Sequence, residues 1–196
     1  MATLTATPPP PTVQPTLTDE EIERRLNDDV RLEYIDGDFV EKPSMGAESA
    51  EVEVNVAAAL FGLKKLGFAV YAQSLSYRCF PDSRRDLRRP DVSIMRLARL
   101  EKAGVARDAR VMTVPADIAV EVVSANDRFV GIREKVQDDL AAGFGAVWVL
   151  APDTKTLDIY TGDGLGRTLG LGDTLDGGEL LDGFTVAVAD FFEEDA

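Results

Sequence analysis

The chain has 196 residues, of which 45% are hydrophobic; 21 basic and 35 acidic side chains give a net charge of −14, and there is no histidine. That acidity argues against broad, nonspecific nucleic-acid binding while leaving room for a local basic site. The absence of histidine removes Ser-His-Asp and Cys-His catalysis, phosphohistidine chemistry and the usual zinc sites, so acid-base or metal chemistry has to run on carboxylates, lysine or tyrosine.

Five of the ten prolines fall between residues 8 and 15, so residues 1–16 read as an extended, disordered tail ahead of one domain over 17–196. The N-terminus has neither the basic nor the apolar region of a signal peptide, which makes the cytoplasm the expected compartment. No apolar stretch reaches the roughly 18 residues needed to span a bilayer, so no membrane association is expected.

Thr18 followed by Glu21 is a capping box that opens a helix running to about Leu26. "RLEYIDGDFVEK" places two alternating segments around Asp36-Gly37, a hairpin signal. From about Ala50 to Leu66, Val52, Val56, Ala59, Leu60 and Leu63 recur at helical spacing. Strands are expected at 68–73, 75–80, 91–96 and 117–123, with a short helix in "LARLEKAGVARD". Residues 129–142 place Phe129, Ile132, Val136 and Leu140 on one helical face, and Gly143 stops that helix. "AVWVL" and "TLDIY" follow as strands, and the glycine-rich end suggests short hairpins. "GDGLGRTLGLG" lacks the Lys-Ser/Thr of a phosphate loop and reads as turns. Cys79 is the sole cysteine, which excludes an intrachain disulfide and leaves a small buried hydrophobe as the ordinary reading.

One residue does not fit this pattern. In "DIAVEVVS", residues 117–124, Glu121 interrupts an apolar run of the kind that fills a buried strand. A buried carboxylate costs several kcal/mol unless a cation, a donor network or a metal compensates it. Alternation puts Ala119, Glu121 and Val123 on one face, and Ile118, Val120 and Val122 on the other. Asp91 follows a proline at the start of another strand, so pairing of the two strands lets Asp91 and Glu121 face one site as hard oxygen ligands, the set Mg²⁺ or Mn²⁺ prefers. Lys135 lies about 100° off the core stripe of the following helix, where it either reaches this site or pairs with Asp139 at i+4. Glu33 either faces solvent from the hairpin or points into the same cleft.

These residues lie in segments that resemble a known family. "LEYIDGDFVEKPSMGAES", "RRPDVSIMR", "PADIAVEVVSANDR", "EKVQDDLAAGFGAVWVLAPDTKTLDIY" and "GDTLDGGELLDGFTVAVADFF" are similar to the Uma-type restriction endonucleases of the PD-(D/E)XK superfamily, over roughly residues 18–192. The resemblance implies an α/β restriction-endonuclease-like core with a mixed sheet, flanking helices and additional hairpins. It implies Glu33, Asp91, Glu121 and Lys135 as catalytic residues, Asp91 and Glu121 as ligands of Mg²⁺ or Mn²⁺, and DNA as substrate. The superfamily's lysine usually lies two residues after the second acid, a place held here by Val123; the family supplies it from the helix, at Lys135. Many relatives carry a histidine at the start of the second helix, where this chain has Ser49. Arg84, Arg85, Arg88 and Arg89 are candidate phosphate contacts, the alternative being a solvated loop balanced by Asp82 and Asp86. The second reading of function is a catalytically idle member of the fold that serves as a homodimeric binding or regulatory module.

Overall fold

The computed structural model describes residues 17–73, 75–80, 86–162, 164 and 166–192, so the proline-rich stretch, Arg84 and Arg85 lie outside the described residues. Helix α1 (Asp19–Asp28) starts at the expected reciprocal cap: the Glu21 backbone N–H donates to the Thr18 hydroxyl at 3.2 Å, and the Thr18 N–H donates to the Glu21 carboxylate at 2.7 Å. Its buried Ile22 and Leu26 pack with Tyr34 and Leu87.

Strands β1 (Leu32–Ile35) and β2 (Asp38–Glu41) form the expected hairpin. Asp36 and Gly37 both hold positive φ, 51° and 91°, the geometry of a two-residue turn that matches strand twist. The hairpin is tied to the loop before Asp91, because Tyr34 and Leu87 exchange backbone hydrogen bonds of 2.9 and 2.8 Å.

Helix α2 (Ala47–Ala59) starts earlier than expected and continues as a 3₁₀ segment over Leu60–Leu66, ended by Gly67 at φ 83°. The tightening suits the burial pattern, since Leu60 and Leu63 are fully buried and three-residue spacing puts both on one side. The segment expected at 75–80 shortens to β4 (Ser76–Tyr77), which follows β3 (Phe68–Ala72) but pairs in parallel with β6 (Val111–Met112), outside the main sheet. Between them come β5 (Val92–Arg96) and the expected short helix, α3 (Leu97–Lys102).

The main sheet has six strands in the order β10-β9-β8-β7-β5-β3, with β7 (Ile118–Val122), β8 (Ala146–Ala151), β9 (Thr156–Thr161) and β10 (Arg167–Leu169). Only β7 and β8 pair in parallel, joined across helix α4 (Phe129–Ala141); the other neighbours are antiparallel. The mixed α/β architecture expected from the sequence is therefore present. A hairpin of β11 (Thr174–Asp176) and β12 (Thr185–Ala187) lies near the end.

β7 is buried along its whole length, and its two faces feed two cores. Ile118, Val120 and Val122 join α2 residues Val52 and Val56 on one side. Ala119 joins Met95, Val136 and Val147 on the other, the side α4 covers. Helix α4 is turned relative to the sequence expectation: Phe129 is 70% exposed, Ile132 and Leu140 are half-buried, and Asp139 joins Val136 in the interior. Among the described residues no helix is long and apolar enough to cross a membrane.

Candidate active site

The Glu121 face of β7 meets the start of β5. Val92 pairs with Val120, and carrying the antiparallel register one residue further sets Asp91 opposite Glu121 on the same face of the sheet. Asp91 is fixed through its backbone and both carboxylate oxygens. Its carbonyl accepts from the Gln73 N–H at 2.8 Å, its Oδ2 accepts from the Val122 N–H at 2.8 Å, and its Oδ1 accepts from the Lys42 ammonium. Lys42 also donates to the Arg89 carbonyl at 3.0 Å.

Lys135 is the partner of Glu121. Its ammonium donates to Glu121 Oε2 at 2.8 Å and lies 3.4 Å from Glu33 Oε1, so the i+4 pairing with Asp139 is not the arrangement adopted. Glu33 is buried rather than solvent-facing and accepts from the Arg89 backbone N–H at 2.7 Å. Glu33, Asp91, Glu121 and Lys135 thus converge, two on the sheet, one on the hairpin and one on α4.

The electrostatics are those of a crowded acidic pocket. Burial, with the negative charges of Asp91 and Asp139, pushes Glu121 up to about 8, against the pull of Lys135 and Lys42. Burial also opposes the charge on Lys135, but Glu121, Glu33, Asp91 and Asp139 outweigh it and hold the ammonium above its ordinary range. For Glu33 burial is again the largest effect, yet Lys135, Lys42, the Arg89 N–H and Arg88 together hold its carboxyl below the usual range. Glu121 Oε1 is buried and has no hydrogen-bond partner, an orphaned acceptor in an otherwise satisfied strand.

Three members of this cluster were not assigned to it from the sequence. Lys42 follows β2 and reads as an exposed lysine before a proline. Hairpin parity nonetheless carries the signal, because Val40 pairs with Glu33 and Lys42 continues on that face. Glu53, on α2, is bonded by the Gln73 side chain and raised to about 7 by burial and by Asp91. Asp139 is 1% exposed, and neither oxygen has a hydrogen-bond partner.

Burial is the largest influence on Asp139 and, with Glu33 and Asp138, raises it to about 7 against Lys135 and Arg88; the half-buried Cys79 thiol also faces it. Its folded-state pKa is above the unfolded one, so its contribution to stability is complete at acid pH and is lost as pH rises through about 7. Asp139→Asn should therefore flatten the fall in melting temperature between about pH 4 and 7. An unchanged slope in calorimetric scans across that range would remove Asp139 as its source.

The arginines divide. Arg89 is 2% exposed and donates through Nη2 to the Leu26 carbonyl and the Ser76 hydroxyl, both at 3.0 Å. It clamps α1 to β4 and is withdrawn from any surface where phosphates would be met, which corrects the expectation that it contacts nucleic acid. Arg88 pairs with Asp138 on α4 and lies 5.4 Å from the centre of the Phe80 ring. Ser49 donates its hydroxyl to the Val123 carbonyl at 3.1 Å and ties α2 to the end of β7.

Comparison with known proteins bears on the family and the fold. The model of the Uma2 family, described as "Putative restriction endonuclease", matches residues 19–189. Among solved structures, a crystal structure titled as a putative nuclease belonging to DUF820, from Anabaena variabilis, superposes with a TM-score of 0.74 at 16% identity, covering 90% of this chain and 97% of that one. At that identity the likeness concerns the fold. No curated protein matches the sequence.

Proposed function

Because the chain belongs to the Uma2 family, we propose that it is a metal-dependent endonuclease that hydrolyses DNA phosphodiester bonds from a single restriction-endonuclease-like domain. The observation that carries this reading is Glu121: 8% exposed, set in an apolar strand opposite Asp91, with one oxygen on Lys135 and the other bare. Among the described residues no group of three or more Asp, Glu, Cys or His side chains is placed to hold a metal ion alone. Two carboxylates suffice for Mg²⁺, which keeps several waters and takes substrate phosphate oxygens as further ligands.

Asp91 and Glu121 would hold a Mg²⁺ or Mn²⁺ ion, which supplies polarisation of a phosphoryl oxygen and a bound water of lowered pKa. The protein's own contribution rests on the lysine. Lys135 stays charged across the working pH range, and its ammonium can orient the attacking water or stabilise negative charge developing on the phosphate. Glu33, held by the Arg89 N–H, keeps Lys135 aimed into the cleft and is placed to assist proton transfer. The apolar neighbours of Glu121 hold it rigidly and keep bulk water away.

With a net charge of −14, affinity for DNA should be modest and steeply salt-dependent. The test is a cleavage assay on single-stranded, duplex and supercoiled DNA across a metal series. Nicking with Mg²⁺ or Mn²⁺ that stops with chelator is expected; no metal-dependent cleavage of any substrate would end the nuclease reading. The second reading, an inactive homodimeric binding module, draws on the occupation of both Asp91 oxygens by Lys42 and the Val122 amide. It would leave DNA uncut and the protein a dimer by light scattering.

A further inference from the structure

Lys42 holds a position that the nuclease reading does not assign. Its backbone N–H donates to the Arg31 carbonyl at 2.8 Å, continuing the hairpin ladder beyond β2, and Pro43 turns the chain away immediately afterwards. The side chain, 20% exposed, runs from that anchored backbone to Asp91, where the ammonium meets Oδ1. Oδ2 is already held by the Val122 N–H. The oxygen that faces the cleft is therefore the one the ammonium covers, and a cation bridging Asp91 and Glu121 would need it.

Charge counting points the same way. Lys42 and Lys135 already bring two positive charges to Glu33, Asp91 and Glu121, and the Lys42 ammonium sits directly on Asp91, where the divalent ion would bring two more. Like charges at contact distance in a partly buried site repel strongly, so ammonium and metal are alternatives there.

The geometry points to Lys42 as a tethered competitor for the divalent ion, its ammonium filling the cation position on Asp91 in the metal-free protein and leaving it when metal binds. The inference rests on the nuclease reading for the existence of the metal site and adds a threshold to it. Lys42 has somewhere to go. Glu53, bonded by the Gln73 side chain, is close enough to feel both Asp91 and Lys42, and the hairpin face that carries Glu33 also carries Lys42. A displaced ammonium stays over the cleft, where an incoming phosphate would meet it.

The experiment uses the full chain without DNA and titrates it calorimetrically with Mn²⁺ and Mg²⁺. Lys42→Met keeps the apolar stem and removes the charge, so the variant should bind Mn²⁺ at least roughly tenfold more tightly than wild type. Without metal it should melt lower, because Asp91 has lost its counter-ion, and saturating Mn²⁺ should restore the melting temperature. In wild type the Lys42 ammonium, held by two acceptors, should give a slowly exchanging ¹⁵N resonance that disappears as Mg²⁺ is added. That measurement decides the matter even if the variant folds poorly. Equal or weaker Mn²⁺ binding by Lys42→Met, or a Lys42 resonance that persists at saturating Mg²⁺, overturns the competition while leaving the nuclease reading in place. Failure of both proteins to bind either ion overturns both.

Discussion

Glu121→Gln abolishes metal-dependent cleavage, a loss of roughly 10³-fold or more, in a protein that melts as high as wild type at neutral pH. Glutamine preserves the volume of the side chain and an acceptor for the Lys135 ammonium, which now donates to Oε2 at 2.8 Å. What it removes is the charge that would hold a cation. The contrast with alanine matters, because Glu121→Ala would leave Glu33, at 3.4 Å, as the ion-pair partner of Lys135 and open a cavity beside Val149, its cross-strand neighbour, confusing lost chemistry with lost packing. The pH profile separates the two further. Glu121 is raised to about 8, so its contribution to stability is complete below the ordinary carboxylate range and is lost as pH rises through about 8. Wild type should therefore lose melting temperature between about pH 5 and 8, and the glutamine variant should lose less. Retained cleavage by Glu121→Gln would show that the site lies elsewhere. A variant that melts many degrees lower at pH 7 would show that Glu121 is a structural charge.

How much of this site the sequence disclosed depends on which physical signal each residue carries. Glu121 announces itself because a charge inside a buried apolar run has no local explanation, and alternation then fixes which side of β7 it faces. Asp91 follows from the rule that proline opens strands, and the structure sets it one register step beyond the Val92–Val120 pair. Lys135 was legible as an angle on a helix but not as a contact, since the choice between Glu121 and Asp139 depends on how α4 is rotated against the sheet. That rotation is where the sequence misleads. Apolar periodicity selects Phe129, Ile132, Val136 and Leu140, yet α4 turns a partly polar face inward, burying Asp139 and leaving Phe129 70% exposed. A helix that must deliver a lysine to buried carboxylates cannot also bury its whole apolar stripe. For Lys42 hairpin parity gives the face but not the partner, and for Arg89 no local signal exists: their roles are set by tertiary pairings, Lys42 with Asp91 across 49 residues and Arg89 with Leu26 across 63. Reading Arg89 with its neighbours as one basic cluster misses that only a fold can separate a structural clamp from a surface charge.

Lys135→Met should be the most destabilising single change in the cleft, at about 3–5 kcal/mol near neutral pH, because it strands the buried Glu33 carboxylate and removes the cation beside Glu121. Its side chain is 16% exposed, so solvent does little to replace it, and Glu33 and Glu121 would be left with Lys42 as the remaining cation of the cleft. The pH dependence follows from the shifts. Glu33 is held below its ordinary range, so it contributes stability above the unfolded carboxylate pKa that disappears as pH falls through its folded value. Lys135, held above its ordinary range, contributes stability below the unfolded lysine pKa that disappears as pH rises through its folded value. The gap in unfolding free energy between wild type and Lys135→Met should therefore open as pH rises out of the acid range, widen further as Glu121 ionises through about 8, and narrow only above about pH 10. Urea titrations at several pH values measure it. Adding Glu121→Gln to Lys135→Met should recover part of the loss, since the second change neutralises one of the charges the first exposed, and the two effects should then fall well short of additive. Cleavage should not return with stability in that double variant, because the group that orients water or steadies the phosphate charge is still missing. If the two substitutions are additive within about 0.5 kcal/mol, Lys135 and Glu121 are not a coupled pair, and the cleft must be held together by the bonds from Arg89, Val122 and Lys42.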